Sequence, residues 1–148
     1  MTTGASMIVV DASVWVARLV PQDIFHGAVR AWMAARRDEN TLLISPSLLL
    51  PEVAGAIARR TGDPALAAQA IEMLEHLPGL RLVEMERSLA AEAAVLAARL
   101  GLRGADALYL ATASYLNLPL CTLVEDQARR AGYQIKIETI PADALEAT

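Results

Sequence analysis

The stretch Met-Ile-Val-Val-Asp, residues 7–11, decides the fold of this chain. It is a short β-branched run without polar alternation, which is typical of a strand buried on both faces of a parallel sheet. An acidic residue follows the run at once. Ligands of open α/β sheets bind outside the carboxyl ends of the strands, so Asp11 is the first candidate for chemistry.

Further apolar runs of similar length recur along the chain, and longer stretches with helical spacing lie between them. One helix is predicted over residues 65–77, because Asp63 and Pro64 are typical of a helix start. Another is predicted from Leu89 to Leu100, before Gly101. The additional predicted strands are residues 41–44, 80–83, 118–122 and 134–137. Strands that alternate with helices predict an α/β sandwich, in which right-handed connections join the strands of a central parallel sheet.

Length and composition limit the class of protein. The chain has 148 residues and a mass of 15.8 kDa, which fits one domain over residues 1–148, with residues 142–148 as a loose tail. A hydrophobic fraction of 55% against 20% charged residues excludes a disordered protein. A net charge of −4 argues against a general nucleic-acid coat protein, which needs many Lys and Arg contacts with phosphates. An enzyme that acts on nucleic acid is not excluded.

The sequence shows no signal for export or membrane insertion. The N-terminal residues lack the basic and apolar regions of a signal peptide, and no segment reaches the roughly 18 apolar residues of a membrane helix. Cys121 is the single cysteine, so no disulfide can form within the chain. We therefore expect a cytoplasmic protein without membrane contact.

Two further acids stand at predicted helix starts. Glu52 follows Pro51, a residue type that helices tolerate only in the first turn, and this helix follows a predicted strand. Asp106 opens a helix that is apolar on nearly every side and is therefore expected to be buried. Each acid also has a purely structural explanation. Asp11 could cap the following helix, and the other two could be first-turn acids favoured by the helix dipole.

Taken together, the three acids indicate a metal site. Carboxylates gathered at one sheet edge repel one another and raise a pKa unless a cation lies among them. Oxygen ligands favour Mg²⁺ or Mn²⁺, and the sequence has no cluster of Cys and His that would favour zinc. Asp11, Glu52 and Asp106 are therefore the predicted ligands of a divalent ion.

The chain resembles the PIN-domain ribonucleases in three acidic motifs. These are Val-Val-Asp-Ala-Ser-Val-Trp-Val at residues 9–16, Pro-Glu-Val-Ala at residues 51–54 and Gly-Ala-Asp-Ala-Leu-Tyr-Leu-Ala at residues 104–111. The subgroup that it resembles is that of the VapC-like toxins of bacterial type II toxin–antitoxin systems. The likeness covers nearly the whole chain.

The resemblance implies a PIN-like three-layer sandwich, in which a five-stranded parallel sheet of order 3-2-1-4-5 has helices on both faces. It implies endonucleolytic cleavage of RNA that depends on Mg²⁺ or Mn²⁺. Asp11, Glu52 and Asp106 match the catalytic and metal-binding acids of the family, and Ser13 matches a hydroxyl that supports them. A VapB-like antitoxin that holds the toxin inactive, and a homodimer, are also implied.

The chain departs from the family pattern after the predicted fourth strand. The family usually places a fourth acid there, in a pattern like Thr-x-Asp, whereas Thr122 and Leu123 are followed by Val124. Glu125 or Asp126 could take this role, or the site could work with three acids.

Two other functions remain open. A PIN-like module that has lost activity and only binds a partner is motivated by Val124. A receiver domain phosphorylated on aspartate shares the doubly wound sheet, but it needs adjacent acids after the first strand and a lysine near the last. Here Ala12 follows Asp11, and Lys136 lies inside the predicted fifth strand.

Overall fold

The computed structural model describes residues 6–141, and its centre is an all-parallel sheet of five strands in the order β3-β2-β1-β4-β5. The strands are β1 Met7–Val10, β2 Leu42–Pro46, β3 Leu80–Val83, β4 Leu120–Cys121 and β5 Ile137–Glu138. This architecture confirms the predicted PIN-like sheet and its strand order. The predicted loose tail, residues 142–148, lies outside the described residues.

Seven helices flank the sheet within residues 6–141. They are α1 Ala12–Leu19, α2 His26–Asp38, α3 Leu49–Thr61, α4 Pro64–Glu75, α5 Arg87–Leu100, α6 Gly104–Leu116 and α7 Glu125–Ala131. In this part of the chain no helix is long and apolar enough to cross a membrane.

The central strand β1 is covered on both faces of the sheet. Ile8, Val9 and Val10 point alternately to opposite faces, and each is at most 2% exposed. The β-branched run at the start of the chain therefore forms a doubly buried strand, as predicted.

Two helices each match the predicted position at one end, whereas α4 ends at Glu75 and not at residue 77, because the amides of His76 and Leu77 bond to the Met73 and Leu74 carbonyls in a tighter turn. Helix α4 begins at Pro64, and the Asp63 carboxylate accepts hydrogen bonds from the amides of Ala65 and Leu66. Helix α5 ends before Gly101, which adopts a left-handed φ of 69° that glycine tolerates without strain.

The bounds of three predicted strands were wrong. Strand β5 begins at Ile137 instead of residue 134, because the amides of Gln134 and Ile135 bond back to the Ala131 carbonyl and prolong the turn after α7. Strand β4 is shorter than residues 118–122 and ends at Cys121, where the chain turns into the loop before α7. Strand β2 extends beyond residue 44 to Pro46.

The edge strand β5 is held by helix α2 through one acidic side chain. The Glu138 carboxylate accepts hydrogen bonds from Arg36 Nη1 at 2.8 Å and from Trp32 Nε1 at 3.3 Å. The strand itself pairs only over its two residues, Ile137 and Glu138, with β4.

A buried serine links the end of β1 to its neighbours. Ser45 Oγ, in β2, donates to the Val10 carbonyl at 2.5 Å and accepts from Trp15 Nε1 of α1 at 3.1 Å. Since Val10 immediately precedes Asp11, this junction of β1, β2 and α1 also fixes the position of the first candidate acid.

We predict that Ser45→Ala destabilises the protein by about 1–3 kcal/mol, because it leaves the Trp15 indole N–H buried without its acceptor. Urea denaturation of both proteins measures this difference. Ser88→Ala, at an exposed position of α5, is the matched control and should change stability by no more than about 0.5 kcal/mol. Equal midpoints for Ser45→Ala and the control would contradict the role of the junction.

Candidate active site

The carboxyl edge of the sheet brings together the three acids that the sequence singles out. Asp11 follows β1 directly, and Glu52 lies in the first turn of α3, which follows β2. Asp106 lies in the first turn of α6. Because α6 leads down into the start of β4, its first turn lies at this same edge. Asp106 and Glu52 are close enough for their charges to act on Asp11.

Asp11 is a buried carboxylate with two hydrogen bonds from its own chain. It caps α1, since its Oδ1 accepts the Ser13 amide at 2.7 Å, and its Oδ2 accepts the hydroxyl of Thr122. Burial raises the pKa of Asp11 to about 6, against the lowering effect of these two hydrogen bonds. The negative charges of Asp106 and Glu52 raise it further.

Glu52 has one buried carboxylate oxygen, Oε1, without a hydrogen-bond partner among residues 6–141. Burial raises the pKa of Glu52, while the Tyr109 hydroxyl nearby lowers it and the charge of Asp106 raises it. Glu52 Oε1 and the Tyr109 hydroxyl are nevertheless buried without a completed hydrogen bond to any described residue. Burial and the charge of Glu52 raise the pKa of Tyr109, so its hydroxyl keeps its proton at neutral pH.

Asp106 pairs with an arginine of the preceding turn. Arg103 Nε lies 3.2 Å from Asp106 Oδ2, and the arginine side chain is 82% exposed. Exposed ion pairs of this kind contribute little and are screened by salt. The Asp106 carboxylate is therefore open to exchange Arg103 for another cation.

The two acids considered as substitutes for a fourth acid are exposed in the first turn of α7. Asp126 pairs with Arg129 and with Arg130 Nε, the latter at 2.9 Å, and the hydrogen bond from Arg130 lowers the pKa of Asp126. Neither Asp126 nor Glu125 is among the groups that shift the pKa of Asp11. The structure thus turns Asp126 towards its own helix.

Two residues contact Asp11 or its partner although the sequence assigned neither of them a role, Thr122 being noted only as the start of the Thr-x-Asp pattern. Thr122 contacts Asp11 because β1 and β4 pair with Val10 opposite Cys121, which places the next residues side by side. Gln127, in α7, contacts Thr122 and is 1% exposed. The Ser13 hydroxyl, expected to support Asp11, accepts the Leu123 amide at 3.1 Å and lies 3.5 Å from Thr122 Oγ1. A threonine at a strand end was a weak signal, and Gln127 gave none.

The donor set of this edge fits a hard divalent cation. All three candidate ligands offer carboxylate oxygens, and the unpaired, buried Glu52 Oε1 is the kind of atom that a bound cation satisfies. Within residues 6–141 no group of three or more His, Cys, Asp or Glu side chains is arranged so that it could hold a metal ion by itself. Mg²⁺ does not require such a cage, because it is usually held by one or two carboxylates with water and substrate phosphates.

The sequence model of the PIN domain family matches residues 8–133 of the chain. The chain therefore belongs to the PIN domain family, and its candidate acids lie where that family model applies. This assignment also sets it apart from the receiver domains considered above.

Solved structures share this fold at low sequence identity. VapC20 of Mycobacterium tuberculosis, described as a sarcin-ricin loop cleaving toxin, has 20% identity and a TM-score of 0.72, over 82% of this chain and 93% of its own. VapBC2 of Rickettsia felis, bound to a promoter DNA fragment, has 12% identity and a TM-score of 0.70, over 91% and 99%. FitAcB of Neisseria gonorrhoeae has 23% identity and a TM-score of 0.64, over 91% and 97%. A search of curated protein sequences finds no match.

We predict that Asp11→Asn changes how stability depends on pH. The pKa of Asp11 is about 6 in the folded protein and 3.8 without the fold, so between these values the folded state binds more protons. The contribution of Asp11 to stability is therefore greatest at low pH and falls as pH rises from about 4 to above 6. The difference amounts to about 3 kcal/mol.

Denaturation in metal-free buffer from pH 4 to pH 8 measures this effect. The free energy of unfolding of Asp11→Asn, minus that of the wild type, should be larger at pH 7 than at pH 4. Asp38→Asn, at an exposed position near the end of α2, should follow the wild type throughout. Parallel curves for Asp11→Asn and the wild type would show that burial of Asp11 carries no such cost.

Proposed function

We propose that this protein is a metal-dependent endoribonuclease of the toxin–antitoxin type, with Asp11, Glu52 and Asp106 as ligands of Mg²⁺ or Mn²⁺. The observation that carries the proposal is the placement of these carboxylates at the carboxyl edge, where the charges of Asp106 and Glu52 act on the buried Asp11 and where Glu52 Oε1 has no hydrogen-bond partner among residues 6–141. Membership of the PIN domain family supports it. So does the similarity of the fold to VapC20, which is described as cleaving the sarcin-ricin loop.

The chemistry follows from charge. A phosphodiester and the water that attacks it as hydroxide repel each other, and a divalent cation, when bound, lowers the pKa of water and stabilises the negative charge at the phosphate. The chain supplies the groups that would hold this cation. Asp11 is fixed in one orientation by the Ser13 amide and the Thr122 hydroxyl, and its remaining lone pairs stay available.

Other residues of the edge have roles that their contacts define. Glu52 Oε1, which has no hydrogen-bond partner among the described residues, can complete the ligand set or accept a proton from the attacking water. Tyr109 keeps its proton and can donate a hydrogen bond to Glu52. Arg103 is exposed beside Asp106 and can exchange this carboxylate for a phosphate of the RNA backbone.

The proposal includes partners. The similarity of the fold to VapBC2 and FitAcB supports a VapB-like antitoxin that binds this chain and keeps it inactive. We expect a homodimer, as the resemblance implies, and a cytoplasmic location, as the sequence indicates.

We predict that the purified protein cleaves structured RNA with Mg²⁺ or Mn²⁺ and that Asp106→Asn lowers the rate on the order of 100-fold or more, because the variant loses a direct ligand. Gel analysis of labelled RNA measures the rate, and EDTA should abolish it. Asp126→Asn is the matched control and should retain activity, since this carboxylate pairs with arginines of α7.

Equal cleavage by the wild type and Asp106→Asn would place the active site elsewhere. Loss of activity in Asp126→Asn would instead make α7 the source of a fourth acid.

The second candidate function is a PIN-like module that binds partners without catalysis, favoured by Val124 at the position of the family's fourth acid.

We predict that millimolar Mn²⁺ raises the melting temperature of the wild type but not that of Asp11→Asn. At a Mn²⁺ concentration 100 times the dissociation constant, binding adds about 2.7 kcal/mol to the free energy of unfolding. Asp38→Asn should shift as the wild type does. No shift in the wild type would favour the inactive module.

A further inference from the structure

We infer that Gln127 is a positioning residue of the candidate active site, which orients Asp11 through the Thr122 hydroxyl. This inference rests on the proposed function. Three buried side chains form a continuous line: Thr122 Oγ1 lies 3.2 Å from the Gln127 amide oxygen and donates to Asp11 Oδ2. Gln127 and Asp11 are 1% and 4% exposed, so water does not compete for these contacts.

The number of available hydrogen-bond donors determines which atom of the Gln127 side-chain amide, Oε1 or Nε2, lies beside Thr122. A threonine hydroxyl carries one hydrogen, yet Thr122 Oγ1 lies beside two oxygens that can only accept, Asp11 Oδ2 and Gln127 Oε1, while the Ser13 hydroxyl is farther away at 3.5 Å. Meanwhile Gln127 Nε2 is buried and has no hydrogen-bond partner among the described residues. A half turn of the amide, which hardly changes its shape, makes Nε2 the donor to Thr122.

In this arrangement both lone pairs of the Thr122 hydroxyl are occupied. One accepts the Val124 amide at 3.1 Å, and the other would accept Nε2 of the turned Gln127 amide, in the place where Oε1 lies 3.2 Å away. The single hydrogen of Thr122 then points to Asp11 Oδ2, which lies much closer than the Ser13 hydroxyl at 3.5 Å. Gln127 therefore fixes the direction of the Thr122 hydroxyl, which in turn fixes the rotation of the Asp11 carboxylate.

The uncharged amide suits a site that already has three carboxylates. The sequence departs from the family's usual fourth acid at Val124, and Asp126 is paired within α7. A further negative charge beside Asp11 would raise its pKa more. Gln127 supports Asp11 from the same segment of chain without adding that charge.

The test is a double-mutant cycle on Mn²⁺ binding, read by the electron paramagnetic resonance signal of free Mn²⁺ at constant pH. Gln127→Met and Thr122→Val should each weaken binding about 10- to 100-fold, as is usual when a residue that orients a ligand is lost. The double variant should bind Mn²⁺ no more weakly than the single variant with the lower affinity, because Gln127 and Thr122 act on Asp11 through the same hydrogen bond. Gln134→Met, an exposed glutamine in the turn after α7, is the matched control and should bind as the wild type does.

Circular dichroism without metal verifies that each variant is folded, and Gln127→Leu replaces Gln127→Met if the latter is not. Wild-type affinity in a folded Gln127 variant would overturn the inference and leave the proposed function intact. A double variant whose loss is the product of the two single losses would also overturn it, because Gln127 would then act independently of Thr122. A folded wild type that binds no Mn²⁺ would overturn the proposed function and the inference with it.

Discussion

The burial of one carboxylate is the constraint on which this structure depends. Asp11 ends the central strand almost out of contact with solvent, where a charge is costly unless it is compensated. The Ser13 amide and the Thr122 hydroxyl compensate it in part. The pKa of Asp11 nevertheless stays at about 6, because burial outweighs these bonds and two further acids stand near it. The chain thus holds a buried negative charge that its own hydrogen bonds compensate only in part, which is what the proposed cation would neutralise.

The parallel sheet is what makes this concentration of charge possible. Asp11, Glu52 and Asp106 are far apart in the sequence, but each follows a strand or opens a helix at one edge. Their repulsion is outweighed by the apolar core below them, where the residues of β1 and the inner face of α6 are almost fully buried. The stability of the core therefore permits a site that is unfavourable by itself.

The sequence was sufficient to predict what depends on periodicity and on strand order. The doubly buried run before Asp11 and the cap at Asp63 are local signals, and the structure confirms both. The Thr122 and Gln127 contacts depend on strand register and on how α7 packs, neither of which local patterns contain. The pairing of Asp126 with Arg129 and Arg130 follows helical spacing and could have been predicted.

The shortness of β5 affects whether a strand of another chain can pair with this edge of the sheet. An edge strand exposes backbone groups that can recruit a strand from another chain, and long flat edges promote aggregation. Here the pairing of β5 spans only Ile137 and Glu138, and the side chain of Glu138 is tied to Arg36 and Trp32. Such an edge gives a foreign strand only two residues to extend, which disfavours strand addition along this side of the sheet.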